Sequence, residues 1–196
     1  MGFVQDDIEN VVLSHFHPDH LSDLVPFIHA GLYSTVDPRT RDLCIFGPAG
    51  VHETVVRLLS IVGFPDPIDA PFRVVVREVE DRLRTGDFEG SYTCLPPAGN
   101  HGLRFDYRGR SYAVTGDSHF HQQEIEFVRQ ADLAIIDAGH LSDDELVELA
   151  VASAPRILIC SHLYRDLDLE WLQGQARTRG FAGRILIGRD GMTFAL

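Results

Sequence analysis

Short apolar runs broken by polar stretches rich in proline and glycine set the pattern of this chain. Val11-Val12-Leu13 is a β-branched run that ends in the polar segment Ser14 to His20, as a buried strand does when it feeds a loop. Residues 21–33 follow with a helical pattern, and Pro26 inside it predicts a late start or a kink. From Gly50 to Val62 the apolar residues Val51, Val55, Leu58, Leu59 and Val62 share one helical face, which Gly63-Phe64-Pro65 terminates. Between Phe72 and Thr115 the period shortens to that of strands, over residues 73–79, 91–95, 102–107 and 111–115. Arg108-Gly109-Arg110 predicts a hairpin turn between the last two. Beyond that point strands and helices alternate: strand 133–136, helix 142–153, strand 156–160, helix 169–179 and strand 184–187. Ser142 with Glu145 three residues on is a capping box, which fixes the start of the first of these helices.

Strands with helices between them predict a mixed α/β core with helices on the sheet faces. With 196 residues, no repeat and no linker, the chain is read as one domain, 1–196. Loops leaving the carboxyl ends of strands are where such sheets place their sites. Four segments fall there: the loop after Leu13, Asp117 after Thr115, Asp137 to His140 after Ile136, and His162 after Cys160.

Composition narrows the classes. Hydrophobic residues at 44% and charged residues at 23% exclude a disordered chain. The net charge of −12 disfavours broad binding to nucleic acid or anionic membrane. No segment has the ~18 apolar residues a membrane span needs, and residues 1–14 lack the features of a signal peptide. Cys44, Cys94 and Cys160 are odd in number and widely spaced, which predicts free thiols and a cytoplasmic setting.

The chemistry is concentrated in His15-Phe16-His17-Pro18-Asp19-His20, four ligand-type side chains in six residues directly after a predicted strand. Imidazole and carboxylate are the usual ligands of zinc and similar divalent ions. Residues two apart in an extended segment point the same way, so His15 and His17 can grip one ion. A bend at Pro18 then turns Asp19 and His20 toward a neighbouring one.

This segment closely resembles the H-x-H-x-D-H signature of the metallo-β-lactamase-fold hydrolases, in particular their ribonuclease Z and phosphodiesterase-like branch. Later segments resemble that branch in order: Phe46-Gly47-Pro48 ahead of a helix, Tyr112 to Ser118 with its Gly116-Asp117, Ala131 to Asp137, and Ile157 to His162. The resemblance implies an αββα sandwich and two divalent metal ions, zinc first, with manganese or iron as alternatives. It implies that His15, His17 and His101 bind one metal, that Asp19, His20 and His162 bind the other, and that Asp117 bridges them. His101, after Pro96-Pro97-Ala98-Gly99-Asn100, is expected in a loop ahead of the hairpin. Asp19 would also orient the attacking water. The branch's His-Glu-Ala-Thr segment falls on Ile136-Asp137-Ala138-Gly139, so its histidine is replaced by Ile136. His140 is taken as the proton donor in its place, with His119 and His121 as alternatives. His29 and His52 are read as ordinary helix residues outside the site.

Several strands precede the signature in this fold, whereas fourteen residues precede His15 here. A shortened first sheet is therefore expected, with a homodimer as one means of completing it. The expected activity is hydrolysis of a small phosphodiester or related ester by a metal-bridged hydroxide. The alternatives are a lactonase or thioesterase, a tRNA 3′-processing-type endonuclease, and a metal-binding interaction module without turnover.

Overall fold

The computed structural model describes residues 4–64 and 71–193. The chain divides into two compact units, Met1–Glu80 and Asp81–Leu196.

In the first unit a 3-10 turn, Gln5–Asp7, precedes β1 (Asn10–Val12), α1 (Pro18–Leu21), α2 (Leu24–Tyr33), β2 (Leu43–Gly47), α3 (Val51–Ile61) and β3 (Val74–Glu78). The strands form a parallel sheet in the order β1-β2-β3, with Val11 opposite Ile45 and Ile45 opposite Val76. Parallel pairing requires a crossover between successive strands, and the helices supply it. Pro18 opens α1 at its first position, and Pro26 falls in the first turn of α2. Proline is tolerated in both places because those N–H groups have no intrahelical partner, so the expected late start is what occurs. Leu13, Leu24, Ile28, Leu43, Ile45, Val51, Val55 and Leu59 form the core of this unit. Val62, expected on the buried face of α3, is exposed instead, because the helix ends at Ile61. Gly63 takes the positive φ of a terminating residue, and Pro65 lies outside the described residues. At the other end of α3, Gly50 has no side chain to cap the helix, and the Glu78 carboxylate accepts from its N–H at 2.7 Å. Gly47 is a glycine for steric reasons, since a Cβ there would lie 2.8 Å from Val51 Cγ2.

The second unit carries β4 (Arg82–Thr85), β5 (Phe88–Leu95), β6 (Asn100–Tyr107), β7 (Arg110–Val114), α4 (Gln122–Val128), β8 (Leu133–Asp137), α5 (Asp143–Ser153), β9 (Ile157–Ser161), α6 (Leu169–Thr178) and β10 (Arg184–Ile187). Its sheet runs β10-β9-β8-β7-β6-β5-β4, antiparallel from β4 to β7 and parallel from β7 to β10. The predicted hairpin joins β6 to β7 through Arg108 and Gly109, both at positive φ, the geometry whose twist matches paired strands. Alternation along the parallel strands sorts their side chains. Ala134, Ile136, Leu158, Cys160 and Ile185 pack with Leu146, Leu149 and Leu172 of the helices. Leu133, Ile157 and Ile159 form a second apolar cluster with Ile135 and Leu186. The capping box of α5 is formed in both directions, with Glu145 N–H on the Ser142 hydroxyl and the Ser142 N–H on the Glu145 carboxylate.

Cys44, Cys94 and Cys160 are free thiols, as expected. No helix among the described residues is long and apolar enough to cross a membrane.

Candidate functional site

In the first unit the ligand-rich segment leaves β1 as the pattern predicts. Leu13 is still tied to the sheet through its N–H on the Phe46 carbonyl at 2.8 Å. The chain stays extended through His17 and turns helical at Pro18. His15 is buried, and its ring lies 4.4 Å from that of His17 and 4.3 Å from that of His20, measured between centroids. The Ser14 hydroxyl is 3.0 Å from His15 Nδ1, which leaves Nε2 as the nitrogen for a ligand role. Asp19 Oδ2 lies 3.4 Å from His20 Nε2. Three imidazoles and a carboxylate therefore converge within one short segment.

In the second unit the loops after β7, β8 and β9 meet. Asp117 is buried, and its N–H is held by the side-chain oxygen of Asn100 at 3.0 Å, while the Asn100 amide donates to the Thr115 carbonyl. Asn100 thus fixes the Gly116-Asp117 turn from the start of β6. His162, at the end of β9, has a φ of 55°, an uncommon conformation for a residue with a β-carbon. Its Nε2 lies 3.7 Å from Asp117 Oδ1, and its Nδ1 lies 3.4 Å from Asp137 Oδ1. Asp137 is the hub of the cluster. It is buried, accepts from the backbone N–H groups of Gly139 and His140, and meets His140 Nδ1 with its other oxygen at 2.5 Å. Donor atoms of Asp137, His140 and His162 all lie within 4.8 Å of one another.

The expected site residues fare differently in detail. His140 is paired to a buried carboxylate. His119 lies beside it with ring centroids 5.2 Å apart. His121 has a structural task, as its Nδ1 accepts from Gln123 N–H at the start of α4. His101 lies within β6, not in a loop ahead of it, because the ladder with β5 already begins at the Asn100 and Leu95 pair. Its ring stacks on Tyr92 at 4.6 Å, and its Nδ1 faces the Gly99 carbonyl at 3.2 Å. His29 packs against Tyr33 within α2. Sequence pattern alone assigns no role to Asn100 or to Asp137. For Asp137 a signal exists: an aspartate three residues before a histidine, straight after a strand.

Glu124, in α4, has no exposed surface, and burial pushes its carboxyl up to about 8. The nearby Ser118 hydroxyl favours the ionised form but is outweighed, and the charges of Asp137 and Glu145 add to the rise. Folded, Glu124 keeps its proton up to about pH 8, whereas the unfolded chain loses it near the ordinary value of 4.5. The raised folded value means its contribution is intact below pH 4.5 and is lost as pH climbs to 8, by roughly 4 kcal/mol at most. Glu124→Gln removes the ionisation. Thermal melts are expected to show the variant melting roughly 5–10 °C above the natural protein at pH 8, with the gap closing near pH 5. A gap independent of pH would contradict the buried, protonated carboxyl.

Two sheets with covering helices, and ligand-type residues on the loops at their strand ends, define a metallo-β-lactamase-type α/β architecture. Residues 4–173 match the family described as the Beta-lactamase superfamily domain, and the chain belongs to that family. Ribonuclease Z of Mycobacterium avium is 28% identical over 219 residues, covering 93% of this chain and 78% of that protein. Ribonuclease Z of Mycolicibacterium gilvum is 28% identical over 131 residues, where the match spans 60% of this chain and 46% of the relative's length. Among solved structures, the metallo-beta-lactamase fold protein YhfI from Bacillus subtilis superposes with a TM-score of 0.71 at 21% identity, covering 96% of this chain and 78% of its own. A long form of RNase Z from yeast gives 0.69 at 13% identity, with 95% of this chain and 32% of that one covered. The matched relatives are hydrolases of the superfamily.

Proposed function

We propose that the protein is a dinuclear metal-dependent hydrolase of small phosphodiesters or related esters. The observation that carries this reading is the convergence of the His15, His17 and His20 rings beside Asp19 at the end of β1, in a chain that belongs to this superfamily. Neutral imidazoles and carboxylates are the donor set that borderline divalent ions take, so the residues fit the metals that the family implies. The proposed ligands are His15, His17 and His101 for one ion and Asp19, His20 and His162 for the second, with Asp117 shared. The chemistry these residues would gain from two bound ions is activation of water near neutral pH and stabilisation of charge on the ester oxygens.

The remaining steps belong to this chain's own groups. Asp19 orients the attacking water. Asp137 holds His140 through Nδ1, which fixes the tautomer and directs Nε2 outward as the nitrogen that gives a proton to the leaving group. The same carboxylate lies on Nδ1 of His162, the arrangement that orients a metal-binding imidazole.

Relatives named ribonuclease Z favour a tRNA substrate as the second reading, and the net charge of −12 weighs against it. The test is metal analysis of purified protein followed by turnover of bis-p-nitrophenyl phosphate, a lactone, a thioester and a precursor tRNA. Two ions per chain with diester turnover preferred is the expected result. A lactone, thioester or tRNA preference transfers the activity to that class, and full metal occupancy without any turnover supports a binding role.

A further inference from the structure

Tyr164 is 67% exposed, yet it is held in place from several directions. Its ring lies edge-on to His140 at 5.4 Å and to His162 at 4.7 Å, and its hydroxyl is 3.3 Å from His162 Nε2. Arg165, the next residue, ties the loop after β9 to the loop after β8. Its guanidinium donates to the carbonyls of Ala138 and Leu141 and to the Asp143 carboxylate, at 3.1, 2.8 and 2.6 Å. Gly139 makes the close approach feasible, since a Cβ there would stand 2.3 Å from the His162 carbonyl oxygen and 2.8 Å from Tyr164 Cδ2. An exposed aromatic side chain ordinarily keeps its rotamer freedom. Here a charged clamp and a glycine set one against the two imidazoles of the site while leaving much of its surface to solvent.

We propose that Tyr164 is a specificity-determining residue that selects an aromatic group on the leaving-group side of the scissile ester. The proposal rests on His140 being the proton donor, for the leaving group then departs alongside the Tyr164 ring. An aromatic group there can stack on the ring, whereas a methyl group gains little. The hydroxyl is not what selects, so phenylalanine retains the preference and leucine, apolar but without a ring, does not.

The experiment uses metal-loaded protein and calorimetric binding of two probe pairs, phenyl phosphate with methyl phosphate and phenylacetate with acetate. The natural protein is expected to bind the aromatic member about tenfold more tightly, Tyr164→Phe to keep that ratio, and Tyr164→Leu to lose it while its affinity for the methyl member and its metal content stay unchanged. The diester counterpart is a KM for bis-p-nitrophenyl phosphate that rises in Tyr164→Leu at nearly constant kcat. An aromatic preference that survives in Tyr164→Leu overturns the proposal. So does an equal loss for both members of a pair, which marks a merely structural role, or the binding of neither pair. A Tyr164-dependent preference in the carboxylate pair with no phosphate binding sustains it and overturns the phosphodiester reading instead.

Discussion

Arg39→Met is expected to destabilise the protein by about 3–5 kcal/mol, a large fraction of the net stability of an ordinary domain. Arg39 is 1% exposed, and its guanidinium donates to four backbone carbonyls: Gln5, Ile8, Arg41 and Asp42, at 2.7, 2.7, 2.8 and 3.1 Å. It also lies 5.8 and 5.6 Å from the ring centres of Phe27 and Phe72, and its stem fills the space beside Gly31. Methionine preserves much of the volume but offers no donor, so the carbonyls of residues 5–8 and 41–42 lose their charged partner together. Each buried group left unmade costs ~1–3 kcal/mol, and the apolar replacement offsets part of the sum. For a chain of this length the midpoint of thermal unfolding is expected to fall by roughly 10 °C. Hydrogen exchange of the amides from Gln5 to Val12 is expected to accelerate most, because Arg39 is the buried anchor of the approach to β1, beside the exposed bonds of Asp6 to Thr40 and Arg41. Arg39→Lys restores the charge but cannot span four carbonyls, and it is expected to recover less than half of the loss. A fall of under about 3 °C in Arg39→Met would show that the segment is held by other contacts.

Nothing local in the sequence marks Arg39 as a buried hub, and the physical reason extends to the rest of the fold. Features written into neighbouring residues are readable: the extended His15 and His17 before Pro18, the Ser142 and Glu145 box, the Arg108-Gly109 turn, and the strand-and-helix alternation after Thr115. The family signature likewise sits in consecutive residues. Features that depend on partners distant in sequence are not. β2 is a five-residue run whose strand character comes from having β1 on one side and β3 on the other. α4 begins with Gln122-Gln123-Glu124, a polar start that hides a wholly buried glutamate. His101 reads as a loop residue until β5 supplies its ladder. Asn100 acts on Asp117 across 17 positions and Arg165 on Ala138 across 27. Such pairings are set by topology, and a single sequence carries no trace of them.

Asp117→Asn is expected to lower kcat/KM by ~10³-fold or more while leaving the fold intact, the largest functional loss expected from this site. Asparagine matches aspartate in shape, and the contact that fixes this turn is made by the backbone N–H of residue 117 to Asn100, which the substitution retains. What disappears is the negative charge of a buried carboxylate 3.7 Å from His162 Nε2. In the absence of metal the melting temperature is expected to be unchanged or higher, because an anion that costs free energy to bury has been removed. With metal, the proposed stoichiometry of two ions per chain is expected to drop to one or fewer. Asp137→Asn provides the contrast. Asp137 touches His140 and His162 and is proposed to orient a proton donor and a ligand without itself binding metal, so its loss is expected to cost ~10–100-fold with both ions retained. If Asp137→Asn loses metal as completely as Asp117→Asn, then Asp137, His140 and His162 are themselves a metal-binding group, as their convergence within 4.8 Å allows, and the proton donor must be sought at His119.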